Sequence, residues 1–326
     1  MILILSSKND LITFSVCEWL NFYNHRFTII YDDETLSLEL LDSNGFVLSY
    51  GNEIIELNKI SCFWHRTSFH NFNSNYYSFN CLNEKFCKSE LSQILAQWLH
   101  IEHVKLLQTT YHHLMTIPHL SNPSTYDINR ISVLLAAKNM GLKTPKWIIT
   151  TAKSKLLKFV TKNHRVITKP IGWNVFFNAD NYNYTLYTTE ICLKHINDFP
   201  EKFAPSFFQQ LIQKKIELRV FYLDGEFYTM AFYPLLNKTS VDIRENATDL
   251  SHRKLPFMLP FRIKQKLIKL MNLYKLKTAS IDMIYGTDKN FYFLEINPTG
   301  QFEYLNDMCN FSLDKKIANF LCKKYD

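Results

Sequence analysis

Apolar positions fall into short runs over residues 1 to about 70: Ile2 to Leu5, Phe27 to Ile30, Phe46 to Leu48 and Ile60 to Trp64. Runs this short, bounded by polar residues, predict buried strands. With the helical stretch near Leu11 to Phe22 they predict a small α/β lobe. The period then changes. Leu91, Ile94, Leu95, Trp98 and Ile101 recur at helical spacing, which predicts one long helix, or two in line, over about residues 84 to 115, packed on the first lobe.

Asn122-Pro123-Ser124 interrupts the chain, Asp127 is placed to cap a helix from about Ile128 to Met140, and Gly141 to end it in a left-handed conformation. Beyond it the pattern predicts a strand Lys146 to Thr150, a helix around Lys153 to Lys162, a strand Val166 to Lys169 and a hairpin near Val175 to Tyr187. Ser206 to Ile212 leads into Ile216 to Leu223, an Asp224-Gly225 turn and Glu226 to Tyr233. A last hairpin joins Ala279 to Tyr285 with Phe291 to Asn297, before a helix from about Leu313. The expected division is an N-terminal α/β domain with its long helix over 1–118, a central lobe over 119–208 and a largely antiparallel C-terminal lobe over 209–326.

An apolar fraction of 47% and an aromatic fraction of 15% belong to a folded chain with a core, and 326 residues suffice for two or three lobes. The opening MILILSSKND has too short an apolar run for a signal segment or membrane span, so a cytoplasmic protein is expected. Seven cysteines with no CxxC pair argue against a disulfide framework or structural zinc. The formal charge of +7 is compatible with nucleic acid, an anionic membrane or an acidic peptide, and by itself selects none.

The strongest chemical signal is Asp282 followed by Glu295-Ile296-Asn297-Pro298. Alternate residues of a strand share a face, so Glu295 and Asn297 project together, and a hairpin register near ideal brings Asp282 beside them. Two carboxylates and an amide are hard oxygen donors suited to magnesium; a solvated polar face on an edge hairpin would read the same. Lys169-Pro170 before Gly172, and Arg130 near a helix start, offer cations for phosphates. Phe207 to Ile212 followed by Glu217-Leu218-Arg219 is an apolar strand with polar punctuation. Asp242-Ile243-Arg244 places another acid and arginine on one strand face. His100, His103, His112 and His113 lack a third ligand at fixed spacing and read as helix-surface residues.

In order, Arg130, Lys169-Pro170, Gln209-Gln210-Leu211-Ile212, Glu217-Leu218-Arg219, Asp242-Ile243-Arg244, Asp282 and Glu295-Ile296-Asn297-Pro298-Thr299-Gly300-Gln301 resemble the ATP-grasp series. Within that superfamily the chain is similar to the graspetide synthetases, which macrocyclise microviridin-like peptides, and most of all to the maturases of grasp-with-spasm systems. Met1-Ile2-Leu3-Ile4-Leu5-Ser6 and Phe63-Trp64-His65-Arg66 extend the likeness over nearly the whole chain.

The resemblance implies an ATP-grasp fold behind an N-terminal α/β pre-ATP-grasp domain, with ATP and Mg2+ as cofactors. Lys169 and Arg130 would hold phosphates, Gln209, Gln210, Leu211 and Ile212 the adenine, and Glu217 the ribose. Arg219, Arg244 and Asp242 would serve catalysis, and Asp282, Glu295 and Asn297 the metal. The implied partner is a ribosomally made precursor peptide with a leader and an acidic core, with no nucleic acid or membrane, and the family suggests a homodimer. Glu or Asp side chains would be activated as acylphosphates and joined to Thr or Ser hydroxyls or Lys amines. The alternatives are a carboxylate-amine ligase acting on a small molecule or protein end, and a catalytically silent basic binding protein. The aromatic hairpin Val175 to Tyr187 is the expected leader-docking surface.

Overall fold

The computed structural model describes residues 1–32, 36–43, 45–66, 90–121, 128–172, 176–179, 182–185, 188–233 and 253–323, the two segments 176–179 and 182–185 as backbone only. The chain divides into two units, Met1–Tyr126 with Ser312–Asp326, and Asp127–Phe311. Residues 312–326, expected with the C-terminal lobe, thus cluster with the N-terminal unit.

The first unit starts on β1 (Ile2–Ser6), buried along its whole length at the centre of a parallel sheet between β2 (Phe27–Tyr31) and β6 (Cys62–His65). Helix α1 (Leu11–Phe22) buries Ile12, Val16, Cys17 and Leu20. The antiparallel meander β3 (Leu36–Leu41), β4 (Phe46–Tyr50) and β5 (Glu53–Glu56) contributes Leu36, Phe46, Leu48 and Ile55 to the same core as Leu3, Leu5 and Ile30. At the end of β6, Arg66 is buried and paired with Asp10 at 2.9 Å. Burial opposes ionisation of Asp10, but the bonds from Arg66, Thr13 and Ser6 outweigh it and lower its pKa.

The long helix is one element, α2 (Glu90–Thr116), and it departs from expectation in its packing. Leu107 and Leu114 in its second half enter the core, whereas Leu91, Ile94, Trp98 and Ile101 are each more than half exposed. The apolar period marks a helix, and along its first half that apolar stripe stays exposed.

The second unit opens with α3 (Arg130–Asn139). Asn129 caps it, its Oδ1 accepting from the Ile131 and Ser132 amides at 2.9 and 3.0 Å, where Asp127 had been expected to act. Gly141 follows with φ of +77°. A four-stranded sheet has the order β11 (Thr189–Ile191), β8 (Val166–Lys169), β12 (Lys202–Gln210), β7 (Trp147–Ala152) and packs on α4 (Lys153–Asn163) and α5 (Leu193–Asn197) through Leu156, Val160, Ile196 and Phe208. Strands β9 (Phe176–Ala179) and β10 (Tyr182–Thr185) pair as a hairpin. The side chains proposed to dock a leader lie outside the described residues, as do Asp242 and Arg244.

The second sheet has the order β15 (Arg253–Phe257), β14 (Glu226–Tyr233), β13 (Lys214–Leu223), β16 (Thr278–Gly286), β17 (Phe291–Asn297) and is antiparallel throughout. Asp224 and Gly225, both at positive φ, make the two-residue turn between β13 and β14. One face of this sheet carries Leu218, Val220, Ile281, Met283 and Phe293 into the main core, shared with Leu134 of α3 and with Leu267, Leu270 and Met271 of α6 (Phe261–Leu273). The opposite face carries Arg219 and Asp282 beside the buried apolar residues Phe221, Met230 and Ile284. No helix among the described residues is long and apolar enough to cross a membrane.

Candidate active site

Asp282 lies directly opposite Arg219 on one neighbouring strand and Glu295 on the other. The row exists because β17 is bulged: Phe293 pairs with Met283 and Glu295 with Asp282, leaving Leu294 as an extra residue. Without it Phe293 and Glu295, two apart, would share a face. The bulge lets Phe293 enter the core while Glu295 joins Asp282 and Arg219 on the other side.

Arg219 Nη1 donates to both Asp282 oxygens at 2.7 Å. Two further cations meet Glu295 Oε2: Lys169 Nζ from the end of β8 at 3.2 Å, and Arg130 Nε from the start of α3 at 3.3 Å. Lys169 also lies over the Phe207 ring, and Arg130 donates to the Pro170 carbonyl. The Lys169 ammonium beside Glu295 is the main reason its carboxyl titrates at about 2, below the ordinary 4.5. Burial opposes that shift, and Arg130 and Arg219 reinforce it. Five charged groups from five elements thus form a network with one more cation than anions.

Asn297 Oδ1 accepts from the Thr299 amide at 3.1 Å and from its hydroxyl. Asn-x-Thr is the spacing of a side-chain-capped turn, and Thr299, part of the sequence series, closes that turn on Asn297. Gly300 follows at φ +64°, where a Cβ would stand 3.0 Å from Thr278 Oγ1 and 3.1 Å from the Phe221 ring. The turn carrying Asn297 is therefore closely fitted. Among the described residues no three His, Cys, Asp or Glu side chains converge. The hard-donor set is two carboxylates with one amide, which suits magnesium and not zinc.

Gln209 is fully buried on β12, on the same strand face as Phe207, and its Nε2 has no hydrogen-bond partner. The Gln210 and Leu211 amides already donate to the Lys146 and Arg165 carbonyls, so these two N–H groups are committed to the chain itself. Ile212 packs with Ile284, Tyr292 and Leu294, an apolar cluster beside Glu295 in sequence. Glu217 is held by Lys214 at 2.9 Å. Of the expected residues, Arg130, Lys169, Arg219, Asp282 and Glu295 meet in one network. Asn297 ends the same strand as Glu295, and Gln209 to Ile212 and Glu217 stand on the two strands β12 and β13 and the link between them.

No family model matches the chain, and no curated protein matches it. Solved structures do. A RiPP-associated ATP-grasp ligase of Chryseobacterium gregarium, in complex with ADP and a leader and core peptide, superposes with a TM-score of 0.79 at 22% identity, covering 100% of this chain and 97% of that one. The macrocyclase MdnC of Microcystis aeruginosa MRC, bound with precursor peptide MdnA, gives 0.77 at 19% identity, covering 98% and 99%. The ATP-grasp ligase PsnB, complexed with a phosphomimetic variant of a minimal precursor, Mg and ADP, gives 0.73 at 15% identity over 98% and 97%. Likeness of this extent at such identities establishes architecture, and along its whole length the chain has the fold of the ATP-grasp ligases.

Proposed function

We propose that the protein is an ATP-dependent peptide macrocyclase. The single observation that carries this reading is the convergence of Lys169 and Arg130 on Glu295 beside the Arg219–Asp282 pair. Cations and carboxylates so interleaved are equipped to exchange partners, the cations taking phosphates and the carboxylates a metal. The three solved structures described above, each of them a complex with a peptide or precursor, support a peptide as the acceptor.

In this reading Lys169, Arg130 and Arg219 bind the phosphates and the incoming carboxylate, with Arg244 and Asp242 assisting. Gln209 to Ile212 line the purine, where the buried Gln209 amide offers a donor in place of the Gln210 and Leu211 N–H groups that the chain already uses, and Glu217 holds the ribose. Asp282, Glu295 and Asn297 would hold Mg2+, which supplies charge neutralisation at the transferring phosphoryl group. A Glu or Asp side chain of the peptide attacks the γ-phosphorus and ADP leaves. A Thr or Ser hydroxyl or a Lys amine then attacks the acylphosphate carbon, loses its proton and expels phosphate, giving an ester or amide ring. The cations gather two anions that would otherwise repel. The basic chain suits an acidic core, and the cytoplasm, where ATP is abundant, suits the reaction.

The test is mass spectrometry of a leader-bearing precursor with an acidic, Thr-containing core after incubation with enzyme, ATP and Mg2+. One water lost per ring, with matching ADP, is expected. ADP release with no change in peptide mass would overturn the macrocyclase in favour of a ligase with another acceptor.

A further inference from the structure

We infer that Lys254 and Tyr304 form a second carboxylate subsite on the active face, one that takes an acidic side chain of the peptide three or four residues away from the one being activated. Lys254 pairs with Phe232 and Phe232 with Glu217, while two residues along the same strands Met230 pairs with Arg219 and Arg219 with Asp282. Residues two apart on a strand share a face, so Lys254 stands on the same side of this sheet as Arg219 and Asp282. Helix α7 (Glu303–Cys309) packs against β14 and β15 and lays Tyr304 on Lys254. The ammonium lies 4.7 Å from the centre of the Tyr304 ring and 5.7 Å from that of Phe232.

Ring faces hold a cation without neutralising it. Lys169, Arg130 and Arg219 each already face a carboxylate of the chain, whereas Lys254 has no ion pair among the described residues. The Tyr304 hydroxyl is buried with no hydrogen-bond partner, a donor for which the chain supplies no acceptor. One carboxylate, with two acceptor oxygens, satisfies both groups. The aromatic bed suits the methylenes of a Glu, and like charge excludes an amine. Phosphates are drawn instead to Lys169 and Arg130, at the far side of the sheet beside Glu295. Neighbouring strands lie about 4.8 Å apart and residues rise about 3.4 Å along them, so the Cα atoms of Lys254 and Arg219 are separated by roughly 12 Å. An extended peptide covers that span in about three to four residues. Arg219 takes the carboxylate to be activated only if the chain is the ligase proposed above, and the subsite rests on that reading. The two cations then select a spacing of acidic residues and not merely their presence.

The test is fluorescence anisotropy of the peptide Glu-Ala-Thr-Glu, fluorescein-labelled at its amino end and amidated at the other, titrated with the full chain loaded with ADP and Mg2+. Two further peptides carry Gln in place of one Glu or the other. Wild type is expected to bind the two-Glu peptide about five- to tenfold more tightly than either single-Glu peptide. Lys254→Met is expected to bind all three alike, Lys254→Arg to keep the preference, and Tyr304→Phe to keep only part of it. Circular dichroism shows that each variant is folded, and ADP affinity is expected to match wild type. No binding of the two-Glu peptide, equal affinities in wild type, or a preference that survives Lys254→Met would overturn the subsite. So would a folded Lys254→Met chain with weakened ADP affinity, which assigns the ammonium to the nucleotide. Failure of the ligase reading shows separately, as absence of ADP release when wild type is given ATP, Mg2+ and a leader-bearing precursor.

Discussion

Replacing Glu295 by Gln removes one negative charge from beneath two cations while keeping the side chain's shape. A carboxyl that titrates at about 2 folded and 4.5 unfolded retains its charge about 3 kcal/mol more strongly in the folded chain. The side chain is 35% exposed, so solvent screening reduces this to about 1–2 kcal/mol. The folded value is the depressed one, so the contribution is complete above pH 4.5 and fades as pH falls toward 2. Without ligands, Glu295→Gln should therefore lower the Tm by roughly 2–8 °C at pH 7. The gap should shrink at pH 3. Nucleotide binding should respond with the opposite sign: Lys169 and Arg130, released from Glu295, should bind ADP more tightly when magnesium is absent. The gain from adding magnesium should fall, and turnover with it. Scanning calorimetry at the two pH values and ADP titrations with and without Mg2+ read all of this. An unchanged Tm at pH 7, or a metal dependence like that of wild type, would refute the reasoning.

Lys169→Met should raise the KM for ATP and lower kcat together, by about tenfold or more, since a phosphate contact made stronger in the transition state enters both; unaltered steady-state kinetics would return Lys169 to a purely structural pairing. Gly300→Ala should cost about 1–3 kcal/mol in urea unfolding, because its φ is +64° and a Cβ would press on Thr278 Oγ1 and the Phe221 ring at 3.0 and 3.1 Å. Phe293→Ala should cost about 3–5 kcal/mol by the same measurement, as a large cavity opens in the main core. Burial pushes the Cys17 thiol up to about 12, so at pH 8 an alkylating reagent should modify exposed Cys192 in the native chain and spare Cys17 until it unfolds.

The order of elements was legible because strand and helix periods are local properties of the chain. The placement of Asp282 opposite Glu295 was also legible, since a short hairpin leaves few registers. The bulge that accompanies it was not, because Leu294 has nothing unusual in its sequence context and only the pairing on both sides reveals the extra residue. Asn129 and Asp127 are equally good cap residues by type, and the choice between them depends on where the helix axis meets its neighbours. The apolar stripe of α2 shows the general limit: periodicity marks an apolar helix face, and in the first half of this helix that face stays exposed. Arg130 and Lys169 are 39 residues apart in the chain and more than 100 from Glu295, so their meeting is a property of tertiary packing alone.

The extra residue at Leu294 divides β17 into two phases. Phe291 to Phe293 keep step with the turn, and Glu295 to Asn297 keep step with the polar ledge. Deleting Leu294 would close the ladder without exchanging its faces, whereas deleting Ile296 would turn Glu295 toward the core or carry Asn297 off the ledge. The strand is thus tolerant of length change at a single position and intolerant one or two residues later. In a lineage of such chains, insertions and deletions in this hairpin should accumulate at that seam, leaving the carboxylate pair in register while the turn beyond it drifts.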